Sequence, residues 1–205
     1  MILYSDRDDH YSQRVRIVLA EKDISAEIKE SKQDETPDEI LSMSPYHKLP
    51  ILVDRDLIIH DPAVMMEYLD ERFPHPPLLP IYPNDKAECR LLIHRIEKDW
   101  LPVIDKMMSP KISQKEFNGL KKELVSLVSG IVLVLKEKPY FMSDEFTLVD
   151  CYMSAILYRL PYLGVSLPST KSFASLSAYQ EKLFSRPSFD LSLTDSERDL
   201  KYSFN

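Results

Sequence analysis

Apolar residues keep two different spacings along this chain, and the changeover falls at one proline-rich stretch, DERFPHPPLLPIYP, residues 70–83. Ahead of it, short apolar runs alternate with amphipathic segments. Met1–Tyr4 suits a strand, and Tyr11–Lys22 places Val15, Val18 and Leu19 at helical spacing. Residues 24–30, ISAEIKE, alternate like a half-buried strand. Residues 36–45, TPDEILSMSP, read as a short helix capped at Thr36, with Pro37 in its first position. Two apolar runs, Ile51–Val53 and Leu57–Ile59, joined by Asp54-Arg55-Asp56, give a hairpin signal. Helical periodicity resumes over Pro62–Arg72 through Val64, Met65, Tyr68 and Leu69. The order is β-α-β-α-β-β-α.

Beyond the prolines only helical spacing remains. It runs over Ala87–Met108, Gln114–Leu135, Leu148–Leu163 and Phe173–Phe184, with a short last segment at Ser188–Leu200. Thr147 and Asp150 form a shortened capping box ahead of one of these helices. Pro102 predicts a break just after Trp100, and Gly164 a helix stop. A single switch of character at a proline-rich connector marks a domain boundary. The expected organisation is therefore an α+β domain over residues 1–73, a stiff connector over 74–83 and an all-helical domain over 84–205.

Composition removes several classes of function. The net charge of −7 disfavours binding to a phosphate backbone, which needs a basic face. Only Cys89 and Cys151 occur, far apart, so neither a disulfide framework nor a zinc site is expected. His10, His47 and His60 show no metal spacing, and His94 reads as a hydrogen-bonded structural histidine rather than a ligand. Three glycines in 205 residues leave no loop to cradle a nucleotide phosphate. The acidic start MILYSDRDDH and the lack of a long apolar run point to a cytoplasmic protein outside the membrane.

The element order, Leu49-Pro50 at the entry to the third strand and the Thr147–Asp150 box resemble the glutathione S-transferase superfamily. The strings YSQRVRIVLAEK, MMEYLDERFPHPPLLPIYP, HRIEKDW and KPYFMSDEFTLVDCY, in that order, resemble its RNA polymerase-associated branch. The resemblance implies a thioredoxin-like first domain with a cis-proline at Pro50, a helical second domain and a homodimer. It also implies a partner, RNA polymerase holoenzyme including its sigma subunit, with DNA reached only through polymerase. No cofactor and no metal is implied.

The superfamily's glutathione site maps here onto Asp9, Leu49, Pro50, Asp61 and Pro62. Leu49-Pro50 keeps the pattern, while Asp9 and the Asp61-Pro62 pair depart from it, which implies a vestigial site. Aligned on Tyr-Ser-Gln-Arg-Val, Asp9 stands where a Cys or Ser usually meets the thiol, and a carboxylate there repels a thiolate. Asp61-Pro62 replaces the acidic-Ser pair that binds the γ-glutamyl carboxylate. That substitution removes a hydroxyl and an N–H, a loss of about 2–4 kcal/mol of charge-assisted bonding, enough to move micromolar binding towards millimolar. Tyr4, Ser5 and Ser12 remain available as hydroxyl donors for a transferase or thiol-dependent reductase, so catalysis stays open as the alternative.

Pro74-His75-Pro76 asks for more than a linker. Stiffness alone needs no histidine. Flanking prolines hold the backbone extended, Phe73 and Leu78 anchor either side, and a preordered imidazole lowers the entropy cost of docking. The resemblance places the branch's transcriptional contact on these residues; Tyr82 and Arg90, beside the same junction, read as further lining residues. An inert, solvated His75 is the competing reading.

Overall fold

The computed structural model describes residues 1–109, 111–167 and 170–202. Its contacts divide the chain into two compact units, Met1–Leu78 with the chain from Ser185 onward, and Leu79–Phe184.

The first unit opens with β1 (Ile2–Asp6), α1 (His10–Glu21), β2 (Glu27–Ser31) and α2 (Asp38–Leu41), then β3 (Ile51–Asp54), β4 (Leu57–Ile59) and α3 (Pro62–Arg72). The strands form one sheet in the order β2-β1-β3-β4, with β1 parallel to β2 and antiparallel to β3, and β3 antiparallel to β4. Alternation along the strands splits the core in two. Ile51 joins Leu41 and Leu49, with Tyr4, Val53, Ile40 and Met43 packed against them. Leu3 and Leu52, paired in register, point to the opposite face and are fully buried. The Met65-Met66 pair and Leu69 of α3 are equally buried and fill core. The β3–β4 turn needs a positive φ, which Arg55 supplies at 57°.

Three local expectations are corrected here. The strand at ISAEIKE forms as β2, but it is an exposed edge, with Ile28 40% accessible. It pairs with β1 along one edge, and Glu27–Glu30 are all exposed, so the alternation does not bury a face. Thr36 does not cap α2: Pro37 stands at the cap position, and the Thr36 hydroxyl instead bonds Ser31 Oγ at 2.6 Å and Lys32 O at 2.8 Å. A short 3₁₀ turn over Gln33–Glu35 brings those partners within reach. The last segment is two helices, α9 (Pro187–Ser192) and α10 (Asp195–Tyr202). Both belong to the first unit rather than to the helices before them. Periodicity reports that a segment is helical, not which core it joins.

The tie between the ends of this unit is electrostatic. Arg16, buried in α1, donates to Ser192 O (2.7 Å), Ser5 Oγ (2.5 Å), Asp6 O (2.9 Å) and Glu197 Oε2 (2.7 Å). Glu21 receives a bidentate pair from Arg186, both bonds 2.6 Å, and the Ser188 hydroxyl. At the far end of β3, Asp54 accepts from Tyr68 Oη at 2.7 Å and from Arg72 Nε at 2.9 Å. The Tyr68 bond, with help from Arg72, holds the Asp54 carboxyl below its ordinary 3.8. A depressed acid stabilises the fold above its unfolded value, and that stability disappears as pH falls through the folded value. The stability gap between wild type and Tyr68→Phe is therefore expected to be full at about pH 7 and to shrink below about pH 4, as read by urea midpoints. A gap that widens on acidification contradicts the assignment.

The second unit comprises α4 (Pro83–Arg95), α5 (Leu101–Met108), α6 (Gln114–Ile131), α7 (Leu148–Arg159) and α8 (Ala174–Phe184). The break expected just after Trp100 in the helical span Ala87–Met108 falls one turn earlier. A π turn at Ile96–Trp100 separates α4 from α5, and the Leu101 N–H reaches back five residues to Ile96 O. Pro102 has no N–H to give and crowds the preceding turn, which a widened turn relieves. Tyr152 donates to Glu97 Oε1 at 2.8 Å, fastening this turn to α7. Every residue of α7 from Leu148 to Leu157 is buried, so this helix is the unit's axis. It starts at the Thr147–Asp150 capping box read from sequence and gives way to a turn closed at Gly164, φ 66°. Cys89 and Cys151 are buried. His94, expected to be hydrogen-bonded and structural, is exposed on α4, while Trp100 is buried.

Candidate functional site

Pro74, His75 and Pro76 are all exposed, on a loop that leaves the C-terminus of α3. Two peptide bonds are cis, Leu49-Pro50 and His75-Pro76. What holds the loop is a buried ion pair. Lys22, immediately after α1, places its ammonium 2.7 Å from Asp70 Oδ1, 2.6 Å from Phe73 O and 2.7 Å from Pro76 O. An ammonium carries three N–H donors, and here each has an acceptor. The same Asp70 oxygen accepts the Leu78 N–H at 2.8 Å. Residues 73, 76 and 78 are thus fastened to one point of charge beneath the ridge, and Leu78 is buried. The apolar anchor expected at Leu78 is present, while Phe73 is only half-buried and contributes mainly its carbonyl.

Spacing did not reveal Lys22 or Asp70. Lys22 ends the amphipathic string YSQRVRIVLAEK, where a lysine ordinarily faces water. Asp70 carried a usable signal: it lies four residues after Met66, on the apolar stripe of α3, and a carboxylate there needs a partner.

The residues aligned with a glutathione site are committed to one another. Asp9 caps α1 and accepts the Ser12 N–H at 2.5 Å, so the helix N-terminus already has its anion. The Asp6 carboxylate organises the loop before it, accepting from Asp8 N (2.8 Å), Asp9 N (3.2 Å) and Gln33 N (2.8 Å). Ser5 and Ser12 have no accessible surface. The Ser5 hydroxyl takes the Arg16 bond and gives one to Asp6 O, and the Ser12 hydroxyl accepts the Asp6 N–H at 2.9 Å. Of the hydroxyl donors left open by sequence, Tyr4 alone is part-exposed, with Lys29 above its ring.

The backbone ahead of Pro50 is capped as well. Leu49 donates its N–H to Gln33 Oε1 at 3.0 Å, and Gln33 Nε2 donates to His47 O at 2.9 Å. A peptide ligand pairing with Leu49 has to displace this side-chain amide. Asp61 is the cap of α3, accepting the Val64 N–H at 3.0 Å, and Pro62 occupies the first helical position without a donor. Gln33, like Lys22 and Asp70, is a residue that sequence reasoning passed over.

Tyr82 and Arg90 belong to the second unit. Tyr82 precedes α4 and is 74% accessible. Arg90 is exposed and lines an open groove with Ile81, Pro83, Lys86, Ala87 and Leu91. No group of three or more His, Cys, Asp or Glu able to hold a metal occurs among the described residues. Among them, too, no helix is long and apolar enough to cross a membrane.

A mixed sheet read β-α-β-α-β-β-α, a cis-proline ahead of β3 and a helical unit built around a capped, buried helix define a glutathione S-transferase fold. Family models agree, matching the glutathione S-transferase N-terminal domain over residues 3–77 and the C-terminal domain over residues 91–187. A solved structure described as a ternary complex of BphK, a bacterial GST, superimposes with a TM-score of 0.85 at 19% identity, covering 97% of this chain and 100% of that one. Sequence narrows the class further. The stringent starvation protein A homolog of Coxiella burnetii is 46% identical over 204 residues, 98% of this chain and 95% of its own length. That of Haemophilus influenzae is 44% identical over 189 residues, covering 92% and 88%. The chain belongs to the stringent starvation protein A family, within the glutathione S-transferase superfamily.

Proposed function

We propose that this protein regulates transcription without catalysing a reaction. It docks on RNA polymerase holoenzyme, near the sigma subunit, through Pro74-His75-Pro76, and alters promoter use during starvation or stress. It acts as a homodimer, in the cytoplasm, and reaches DNA only through polymerase. The relatives' name supports the starvation role, and the acidic net charge suits contact with basic protein surfaces better than with DNA.

The observation that supports this reading best is the contrast between two sites. The exposed ridge is held in place by buried bonds, which leaves its outer face free for a partner. The groups that would hold a thiolate and a peptide backbone are turned inward and bonded to each other. Tyr82 and Arg90 serve as further contact residues. Asp9, Leu49, Pro50, Asp61 and Pro62 mark a glutathione site that no longer works.

Replacing Pro74, His75 and Pro76 together with alanine is expected to lower holoenzyme capture at least tenfold, with the thermal transition unchanged. The wild-type protein is expected to pass through glutathione-agarose unretained. Undiminished capture by the folded triple variant removes the docking role. Retention on glutathione with turnover of a chloronitrobenzene substrate, abolished at Tyr4, restores the enzyme reading.

A further inference from the structure

A lysine ammonium buried under an exposed loop is an unusual choice for stability alone. A buried ion pair costs desolvation, and apolar residues of the same volume generally serve a core as well or better. Here Lys22 has no accessible side-chain surface and Asp70 only 8%. Three further bonds of the pair go to one place: Phe73 O, Pro76 O and the Leu78 N–H. Pro74, Pro76 and Pro77 have no N–H of their own, so this stretch is poor in donors with which to fix itself. The donors come from Lys22 instead, and they converge on carbonyls either side of His75.

We infer that Lys22 and Asp70 are positioning residues for the Pro74-His75-Pro76 ridge: the ammonium clamps the carbonyls of Phe73 and Pro76, the carboxylate clamps Leu78, and together they fix the presentation of His75 to its protein partner. The inference rests on the docking role proposed above for the ridge. It assigns the work of ordering the ridge to residues outside it. The geometry asks for lysine in particular. Three acceptors surround one nitrogen within 2.6–2.7 Å, which matches a compact ammonium and not the planar fork of arginine.

The test removes both charges at once. Lys22→Met with Asp70→Asn leaves no uncompensated buried ion, and asparagine still offers an oxygen to the Leu78 N–H, so the fold is kept. Holoenzyme affinity is expected to fall about ten- to a hundredfold, the cost of ordering one or two residues anew on binding, with the thermal transition near that of wild type. Amide exchange at His75 and Leu78 is expected to accelerate while exchange in β3 does not. Lys22→Arg is expected to behave like the double variant, because charge alone does not supply the clamp.

The triple-alanine ridge variant, measured alongside, separates this inference from the reading beneath it. Wild-type affinity and wild-type exchange in the double variant, with affinity lost in the triple-alanine variant, overturn the positioning role and leave docking intact. Affinity kept in the triple-alanine variant overturns docking itself, and the positioning role with it. Loss in both variants, with faster exchange at Leu78, supports the inference. Full rescue by Lys22→Arg reduces the role to charge and overturns the clamp.

Discussion

Replacing Arg16 with methionine is expected to destabilise the first unit by about 3–5 kcal/mol, the usual consequence of removing one partner from a buried ion pair. Glu197 is fully buried and loses its 2.7 Å guanidinium contact, while Ser192 O, Asp6 O and Ser5 Oγ lose donors in the same change. In a chain of this size each kcal/mol moves the thermal midpoint by about 2–4 °C, so a fall of about 6–20 °C is expected by circular dichroism. Adding Glu197→Gln is expected to recover part of the loss, because the uncompensated charge is gone but the backbone acceptors remain unserved. A single-variant effect under about 1 kcal/mol contradicts this account.

The second large effect lies in the other unit. Asp150 is fully buried and receives the Phe141 N–H (3.0 Å), the Thr147 N–H (2.8 Å) and hydroxyl (3.1 Å), and the Tyr179 hydroxyl (2.6 Å). Burial pushes its carboxyl above the ordinary 3.8, and the donors from Tyr179, Phe141 and Thr147 pull it back. Asp150→Ala leaves several buried donors unserved at about 1–3 kcal/mol each. A loss of about 4 kcal/mol or more, or no folded second unit at all, is expected. Tyr179→Phe removes a single donor and is expected to cost about 1–2 kcal/mol. Trp100, the chain's one tryptophan, lies buried in this unit and reports the transition by fluorescence. Equal effects for the two variants run against the idea that Asp150 is the hub.

What the amino-acid order made legible, and what it hid, follows from the range of the interactions involved. The hairpin at β3–β4, the Asp61-Pro62 start of α3 and the Thr147–Asp150 box are all written within a few residues, where capping and turn chemistry decide; α7 ends at Arg159, ahead of the stop expected at Gly164. The proline ridge stood out by composition alone, and the resemblance added the cis-proline expected at Pro50. Thr36 misled because a threonine before Pro37 satisfies a cap rule, while its real partners, Ser31 and Lys32, arrive through a 3₁₀ turn that has no apolar period. The interruption at Ile96–Trp100 was placed one turn late, since proline announces a defect without saying where the helix will absorb it. Lys22–Asp70, Gln33–Leu49 and Arg16–Glu197 were invisible for a different reason. Each joins residues too far apart in sequence for any local rule, and a charged residue at a helix end reads as solvated until the opposing acid is brought to it.

The Arg16–Glu197 pair also sets an order of events in the making of the chain. Its members are 181 residues apart, which at about 5–20 residues per second separates their synthesis by about 10–40 s. Through that interval the nascent sheet and α1 carry a guanidinium whose eventual site lacks its acid. The first-made part of this protein is therefore among the last to be finished, and ribosome-bound chains stopped short of Glu197 should yield to protease in their N-terminal segment while the helices already released from the exit tunnel resist it.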